Sequence, residues 1–291
     1  VNNMDKPMKL YEVLGWASLF LEKHNRETRV AELLLQHYLD VSRSEFFAMM
    51  REPVPDKVVH EFQKAIKEHG ETGIPVQHLT GYEIFYGRKF LVNNHVLIPR
   101  PETEELVQHV IKLVQQSKMP VTIADIGTGS GIIATTLALE LDNAIVYATD
   151  ISEDALTTAR NNAKQFNANV TFLQGDFLQP LIHTDRKVDF IISNPPYIAR
   201  EDEVVMADTV KVFDPEIALF ADENGLAAYR QIIEKLSFVL AENAIVAFEI
   251  GYQQGEAVKA LLKTKFPKSE VQIHQDINKK DRIVIAKIKN Y

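Results

Sequence analysis

The 291 residues contain no cysteine. That single absence excludes disulfide scaffolds, thiolate zinc sites, iron–sulfur clusters and cysteine nucleophiles, and it is compatible with a reducing compartment. Basic charge is in deficit: 32 Lys and Arg stand against 40 Asp and Glu, a formal charge of −8. Duplex nucleic acid is held largely through Lys and Arg on its phosphates, so direct binding of a duplex is not expected. No stretch of ~18 uncharged apolar residues occurs, which leaves no candidate membrane span. Residues 1–9 are polar and lack an apolar h-region, so no signal peptide is expected and the expected location is cytoplasmic. Nine histidines are present, but none has H-x-x-x-H or H-E-x-x-H spacing, so no metal site is expected.

What is present changes character along the chain. Near the N-terminus, Leu10, Val13, Leu14, Ala17 and Leu21 recur at helical spacing, and Val30, Leu33, Leu34 and Tyr38 do so again. Ser42 or Ser44 can cap a third, short helix before Pro53 and Pro55, and a fourth follows to about His69. Residues 1–78 therefore read as a small all-α domain, in which Trp16 is better placed in the core than on a docking face. Residues 79–98 read as a β-hairpin linker, with strands at 83–86 and 89–92 around Gly87. Residues 99–291 form the third segment. It opens with a helix from Glu102 whose first turn is acidic, as the positive end of a helix dipole favours.

From Val121 onward, apolar strand runs alternate with helical stretches. Strands are expected at 121–126, 144–149, 170–174, 188–193, 244–250, 271–274 and 282–288. This alternation predicts an α/β fold with a doubly wound, mostly parallel sheet of seven strands. The last two strands are joined without a helix, so they are expected as an antiparallel pair.

The first of these strands runs into Asp125-Ile-Gly-Thr-Gly-Ser-Gly131. Glycines there let the chain turn sharply and let a ligand approach the main chain. The spacing is G-x-G-x-G, whereas the dinucleotide fingerprint needs G-x-G-x-x-G. A tighter loop preceded by an acid suits a ligand with an amino group and no pyrophosphate, such as S-adenosylmethionine (AdoMet). On that reading Gly127, Thr128, Gly129 and Gly131 hold the cofactor and Asp125 sits near its α-ammonium. Asp150 and its neighbour Ile151 end the second strand, where a carboxylate can accept from both ribose hydroxyls. Asp176 and Phe177 follow the third strand and suit adenine, one as a partner for the exocyclic amine and one as a stacking face. Any one of these is often only a turn or a helix cap; three at successive strand ends point to a nucleoside ligand.

The fourth strand ends in Ser193-Asn-Pro-Pro-Tyr197. Pro195 and Pro196 remove two backbone donors and fix φ. The Asn194 amide oxygen and the Pro195 carbonyl can then accept both N–H bonds of a planar NH₂ group, and Tyr197 offers that flat group a face or an edge. Such a nitrogen is a weak nucleophile because its lone pair is delocalised. Accepting its hydrogens raises electron density on nitrogen, and fixing its orientation aims it at a methyl donor, so catalysis is mostly positioning and electrostatics. Asn194, Pro195 and Tyr197 are the candidate catalytic residues, and Asn194 also adjoins the cofactor.

Asn194-Pro-Pro-Tyr197 and the glycine loop occur here together with Val96-Leu-Ile-Pro-Arg-Pro-Glu-Thr-Glu104, Pro75-Val-Gln-His-Leu-Thr-Gly81, Asp214-Pro-Glu216 and Glu249-Ile-Gly-Tyr-Gln-Gln-Gly255. In these strings the chain resembles, over almost its whole length, the HemK/PrmC family of protein-(glutamine-N5) methyltransferases, which modify peptide-chain release factors. The resemblance implies an AdoMet-dependent methyltransferase sheet. It also implies a reaction in which AdoMet and a glutamine side-chain amide give N5-methylglutamine and S-adenosylhomocysteine. The glutamine would lie in a Gly-Gly-Gln loop of a class 1 release factor, which the helical domain would dock. Asn194, Pro195, Pro196 and Tyr197 would hold the amide, and Pro99, Arg100, Pro101 and Glu102 would lie near the site mouth. One departure stands out: family members often carry Asp-x-x-Gly-x-Asp-Arg, whereas here the stretch is Asp276-Ile-Asn-Lys-Lys-Asp-Arg282.

Several readings stay open at this stage. Arg100 either clamps an acidic group or the substrate backbone, or forms a salt bridge to Glu102 or Glu104. The acidic stretch from Glu201 toward Asp214 is either a solvated loop or a lid. The Asn-Pro-Pro-Tyr string also serves amino-methylation of adenine or guanine in DNA or RNA, against which stand the acidic balance and the lack of a target-recognition insert. A non-catalytic protein that keeps the fold is a further alternative, disfavoured by the intact loop.

Overall fold

The computed structural model describes residues 7–117, 120–205 and 212–289. They fall into two units, residues 7–81 with 212–213 and residues 82–205 with 214–289.

In the first unit the helical periodicity becomes α1 (Leu10–Lys23), α2 (Arg29–Leu39), α3 (Arg43–Ala48) and α4 (Asp56–Thr72). Val13, Ala17 and Leu21 of α1 meet Leu34 and Leu35 of α2 and Phe62 and Ile66 of α4 in one buried core. Ser42 caps α3: its hydroxyl accepts from the Glu45 N–H while the Glu45 carboxylate accepts from the Ser42 N–H. This reciprocal pairing satisfies two of the helix's orphan donors. Trp16 is half-buried against the core and stacks on Phe20 at 5.7 Å. A further short helix, α5 (Val76–Thr80), was not expected, because one turn leaves no periodicity to read.

The second unit begins with the hairpin, β1 (Tyr82–Phe85) and β2 (Arg88–Leu91). Its turn residues Tyr86 and Gly87 have φ of +51° and +73°, the pair of left-handed conformations that matches strand twist in a two-residue loop. Tyr86 tolerates this with its N–H held by the Glu104 carboxylate at 2.7 Å. Phe90 packs its ring 5.0 Å from that of Phe166.

Then come α6 (Pro101–Gln115), β3 (Val121–Ile126), α7 (Ile132–Glu140), β4 (Ala144–Asp150), α8 (Glu153–Gln165), β5 (Val170–Gln174) and β6 (Val188–Ser193). They are followed by α9 (Ala227–Val239), β7 (Leu240–Glu249), α10 (Gly255–Lys265), β8 (Glu270–Gln275) and β9 (Asp281–Ile288). The sheet order is β5-β4-β3-β6-β7-β9-β8. β3 to β7 pair in parallel, and β9 runs antiparallel between β7 and β8. The expected seven-stranded, mostly parallel sheet with an antiparallel C-terminal pair is therefore what the chain forms. One apolar layer unites Ile232 and Leu236 of α9 with Val258 and Leu262 of α10. The other unites Leu106 and Val110 of α6 with Ile133 and Leu137 of α7. Chain order reverses between β3 and β6, and in open α/β sheets a ligand crevice lies at the strand C-termini beside such a switch.

No helix among the described residues is long and apolar enough to cross a membrane.

Candidate active site

At the C-terminal ends of β3, β4, β5 and β6 lies a cavity of about 320 Å³. Its floor is the glycine loop. Gly127 and Gly129 have φ of +72° and +56°, and a Cβ built on either would meet nothing within 4 Å. Those glycines are required by backbone conformation, and they leave open the space a ligand needs. Gly131 (φ +77°), expected to hold the cofactor, is off the cavity wall; it is required by its backbone conformation and by close packing on α8, where a Cβ would lie 2.8 Å from that of Ala159.

Asp125 takes a different position from the one expected. It is fully buried behind the loop, off the cavity wall. One carboxylate oxygen accepts from the Thr128 hydroxyl at 2.6 Å and the Ala134 N–H at 3.2 Å. β3 is buried on both faces near its end, so a side chain there turns into the loop it supports. Burial raises its pKa to about 7 against those two hydrogen bonds.

Asp150 does reach the cavity. Its two oxygens accept from the N–H groups of Gly129 (2.8 Å) and Ser152 (2.9 Å). Burial pushes its carboxyl above the usual range while those N–H groups pull it back. Ile151, Asp176 and Phe177 are on the wall as well. Phe177 adopts φ +45°, and its carbonyl accepts from the Thr149 hydroxyl. An open glycine floor, a strand-end carboxylate and an aromatic beside a second carboxylate fit a nucleoside carrying no pyrophosphate.

The Asn-Pro-Pro-Tyr loop leaves β6 where the Ser193 hydroxyl donates to the Ile126 carbonyl at 2.6 Å, joining the two strand ends. Asn194 and Pro196 line the cavity. The Asn194 amide nitrogen donates to the Thr103 hydroxyl at 3.4 Å, and its buried Oδ1 has no hydrogen-bond partner. Pro195 and Tyr197 are not on the wall. Tyr197 instead packs against the core beneath the loop, and its burial together with nearby Glu249 pushes its hydroxyl up to about 12. Its carbonyl accepts from the Gln254 side chain at 2.8 Å, and Gly251 N–H donates to the same side chain's oxygen. Gly225 (φ +80°) closes the cluster: a Cβ there would lie 2.1 Å from the Tyr197 carbonyl oxygen.

Arg100 lines the cavity and pairs with Asp214 at 3.1 Å, not with Glu102 or Glu104. It has extended backbone as the N-cap of α6, ahead of the turn that carries those acids, and Glu104 already holds Tyr86. Glu102 does not line the cavity. The rim is completed by Ile217, Ala218 and Phe220, whose segment forms a parallel bridge between Phe220 and Ile198. The expected lid or loop over 199–214 falls partly outside the described residues; within it, Arg200–Val205 form a 3₁₀ turn.

Three residues escaped the sequence reading. Glu249 opens a quoted string near the end of an expected strand but was given no role; it is buried and its Oε2 accepts from the Thr103 hydroxyl at 2.7 Å. Thr103 and Gln254 sit inside quoted motifs but carried no local signal of a role. Among the described residues no cluster of three or more His, Cys, Asp or Glu is placed to hold a metal ion.

Comparison with known proteins bears on this site. Residues 12–81 match the family described as the PrmC N-terminal domain, and residues 103–214 the methyltransferase small domain. The release factor glutamine methyltransferase of Bacillus cereus is 47% identical over 283 residues, covering 97% of this chain and 100% of that protein. That of Bacillus subtilis is 43% identical over 282 residues, covering 96% and 98%. A methyltransferase from Pyrococcus furiosus, known as a crystal structure, shares the fold with a TM-score of 0.50 at 17% identity, covering 71% of this chain and 91% of that one.

Proposed function

Because the chain belongs to the family of release factor glutamine methyltransferases, we propose that it transfers a methyl group from AdoMet to the side-chain amide nitrogen, N5, of the glutamine in the Gly-Gly-Gln loop of class 1 peptide-chain release factors. The observation that carries this reading is that Asn194 lines the cavity while its buried amide oxygen has no hydrogen-bond partner. A buried acceptor without a donor costs about 1–3 kcal/mol, and an incoming primary amide removes that cost.

AdoMet supplies an electrophilic methyl group on a sulfonium. Asp150 would hold the ribose, Asp176 and Phe177 the adenine, and Gly127, Thr128 and Gly129 the floor beneath, with Ile151 beside Asp150. Asp125 acts one step removed, by bracing the loop. Asn194 Oδ1 accepts one N–H bond of the glutamine amide; the Pro195 carbonyl, off the wall of the cavity as it stands, is the second acceptor by the family's pattern, and together they direct the nitrogen lone pair. As the N–C bond forms and the C–S bond breaks, positive charge grows on nitrogen, where both acceptors stabilise it. The alkylated nitrogen then loses one proton to solvent, leaving N5-methylglutamine and S-adenosylhomocysteine. Pro196 and Arg100 border the substrate, and the helical unit docks the release factor. A protein with this substrate works in the cytoplasm, where translation ends.

Methyl-labelled AdoMet and a purified release factor test the proposal. Label is expected in the intact factor and none in a factor whose loop glutamine is replaced by alanine. Equal labelling of both factors, or transfer of label to DNA or ribosomal RNA instead, overturns it.

A further inference from the structure

We propose that Glu249, acting through Thr103, is a positioning residue that holds the Asn194 amide with its nitrogen toward Thr103 and its oxygen free to accept from the substrate. This rests on the role given to Asn194 above. β6 and β7 are neighbours with Ser193 opposite Phe248, so the next residues along, Asn194 just past β6 and Glu249 at the end of β7, lie side by side. Thr103, in the first turn of α6, lies between them. Its hydroxyl has one hydrogen, and Glu249 takes it at 2.7 Å. Only lone pairs then remain to face Asn194. An amide oxygen turned toward them would set acceptor against acceptor, so the amide nitrogen must turn there, as it does at 3.4 Å. Oδ1 is thereby left pointing away from the pair and unpartnered. The charge of one buried carboxylate fixes which end of an amide the substrate meets.

A buried carboxylate is costly, and the groups facing this one keep it close to its switching point. Burial, with Glu102, pushes its pKa up to about 7 against the Thr103 hydroxyl, Arg282 from β9 and the Asn194 amide, which favour the charged form. Tyr197 faces it from the loop after β6, and Tyr229 from α9 donates to the Glu249 main-chain carbonyl. Both hydroxyls stay protonated through this range, Tyr197 up to about 12 and Tyr229 well above the ordinary tyrosine value. When Glu249 takes up a proton, that proton can point at Thr103. The threonine hydrogen is then free to donate to Asn194, and the amide reverses.

The experiment measures kcat and KM against pH for methyl transfer to the release factor, with AdoMet affinity by calorimetry as the check on folding. In the native enzyme kcat falls about tenfold per pH unit below about pH 7, as a single essential ionisation gives. T103V lowers kcat about 100-fold, the scale of a misplaced reacting group, with AdoMet affinity within about threefold of native. T103S, which keeps the hydroxyl, recovers most of that loss. E249Q removes the acid limb of the pH profile. Native kcat in T103V, or a native acid limb in E249Q, overturns the inference. If E249Q fails to fold, the T103V and T103S pair decides it. Failure of the native enzyme to label the glutamine would overturn the proposed function, a separate result.

Discussion

Asn194 is the side chain on which the proposed chemistry converges, and its replacement separates positioning from binding. Asn194→Ala should lower kcat by about 100-fold or more while calorimetry finds AdoMet affinity nearly unchanged. Gly225 supports the same loop from outside the cavity. Any Cβ there meets main-chain oxygen at 2.1 Å on a left-handed backbone, and main chain cannot swing aside as a flexible side chain can. Gly225→Ala should therefore cost about 2 kcal/mol or more in urea unfolding. Lys279 is the opposite case. It occupies the place where family members often carry glycine and has φ +60°. The turn around it is held by Asp276, which accepts from the N–H groups of Asn278 and Lys280 and pairs with Arg282 at 3.2 Å. These bonds fix the turn and leave the left-handed strain on the lysine, so Lys279→Gly should raise stability by about 1 kcal/mol.

Between elements, Asn162 of α8 does the work of a clasp. Its oxygen accepts from the Leu91 N–H, and its nitrogen donates to the carbonyls of Leu91 and of Ser130 in the glycine loop. Asn162→Ala takes this partner from the main chain of Leu91 and from the buried Ser130 carbonyl. It should cost about 2–3 kcal/mol and weaken AdoMet binding, which unfolding and calorimetry would report together. The strands and long helices were legible because burial on one or both faces imposes a pattern on every residue of the segment. Single turns such as α5 offer fewer residues than a helical period needs. The same limit governs the site. Glycine loop, Asp150 and Asn194 announce themselves through their place at strand ends, whereas the partner of Arg100 is Asp214, 114 positions away, and the two acids beside it in sequence were misleading neighbours. Asp125 was visible as an acid, but its inward aim follows from β3 being covered on both faces.

At the scale of the molecule, two fully buried carboxyls among the described residues hold their protons unusually high, Asp125 and Glu249, each to about pH 7. In the unfolded chain they titrate near about pH 4. Between those values the folded chain binds more protons, so their contribution to stability falls as pH rises from about 4 to about 7 and is level above it. His69, His78, His109 and His274, whose pKa values burial lowers from 6.5, act in the opposite sense at the acid end. The clean measurement is therefore native protein against D125N, which keeps an oxygen acceptor and loses the proton. From pH 5 to 7 the native protein should lose stability relative to D125N by about 1.4 kcal/mol per pH unit. The unpartnered oxygen of Asn194 has one more consequence, for turnover. A primary amide brings two hydrogens to the two proposed acceptors, but its monomethylated product brings only one. One acceptor would then be stranded against a methyl group, at about 1–3 kcal/mol, so the proposed site should release what it has made and stop at one methyl by counting hydrogens.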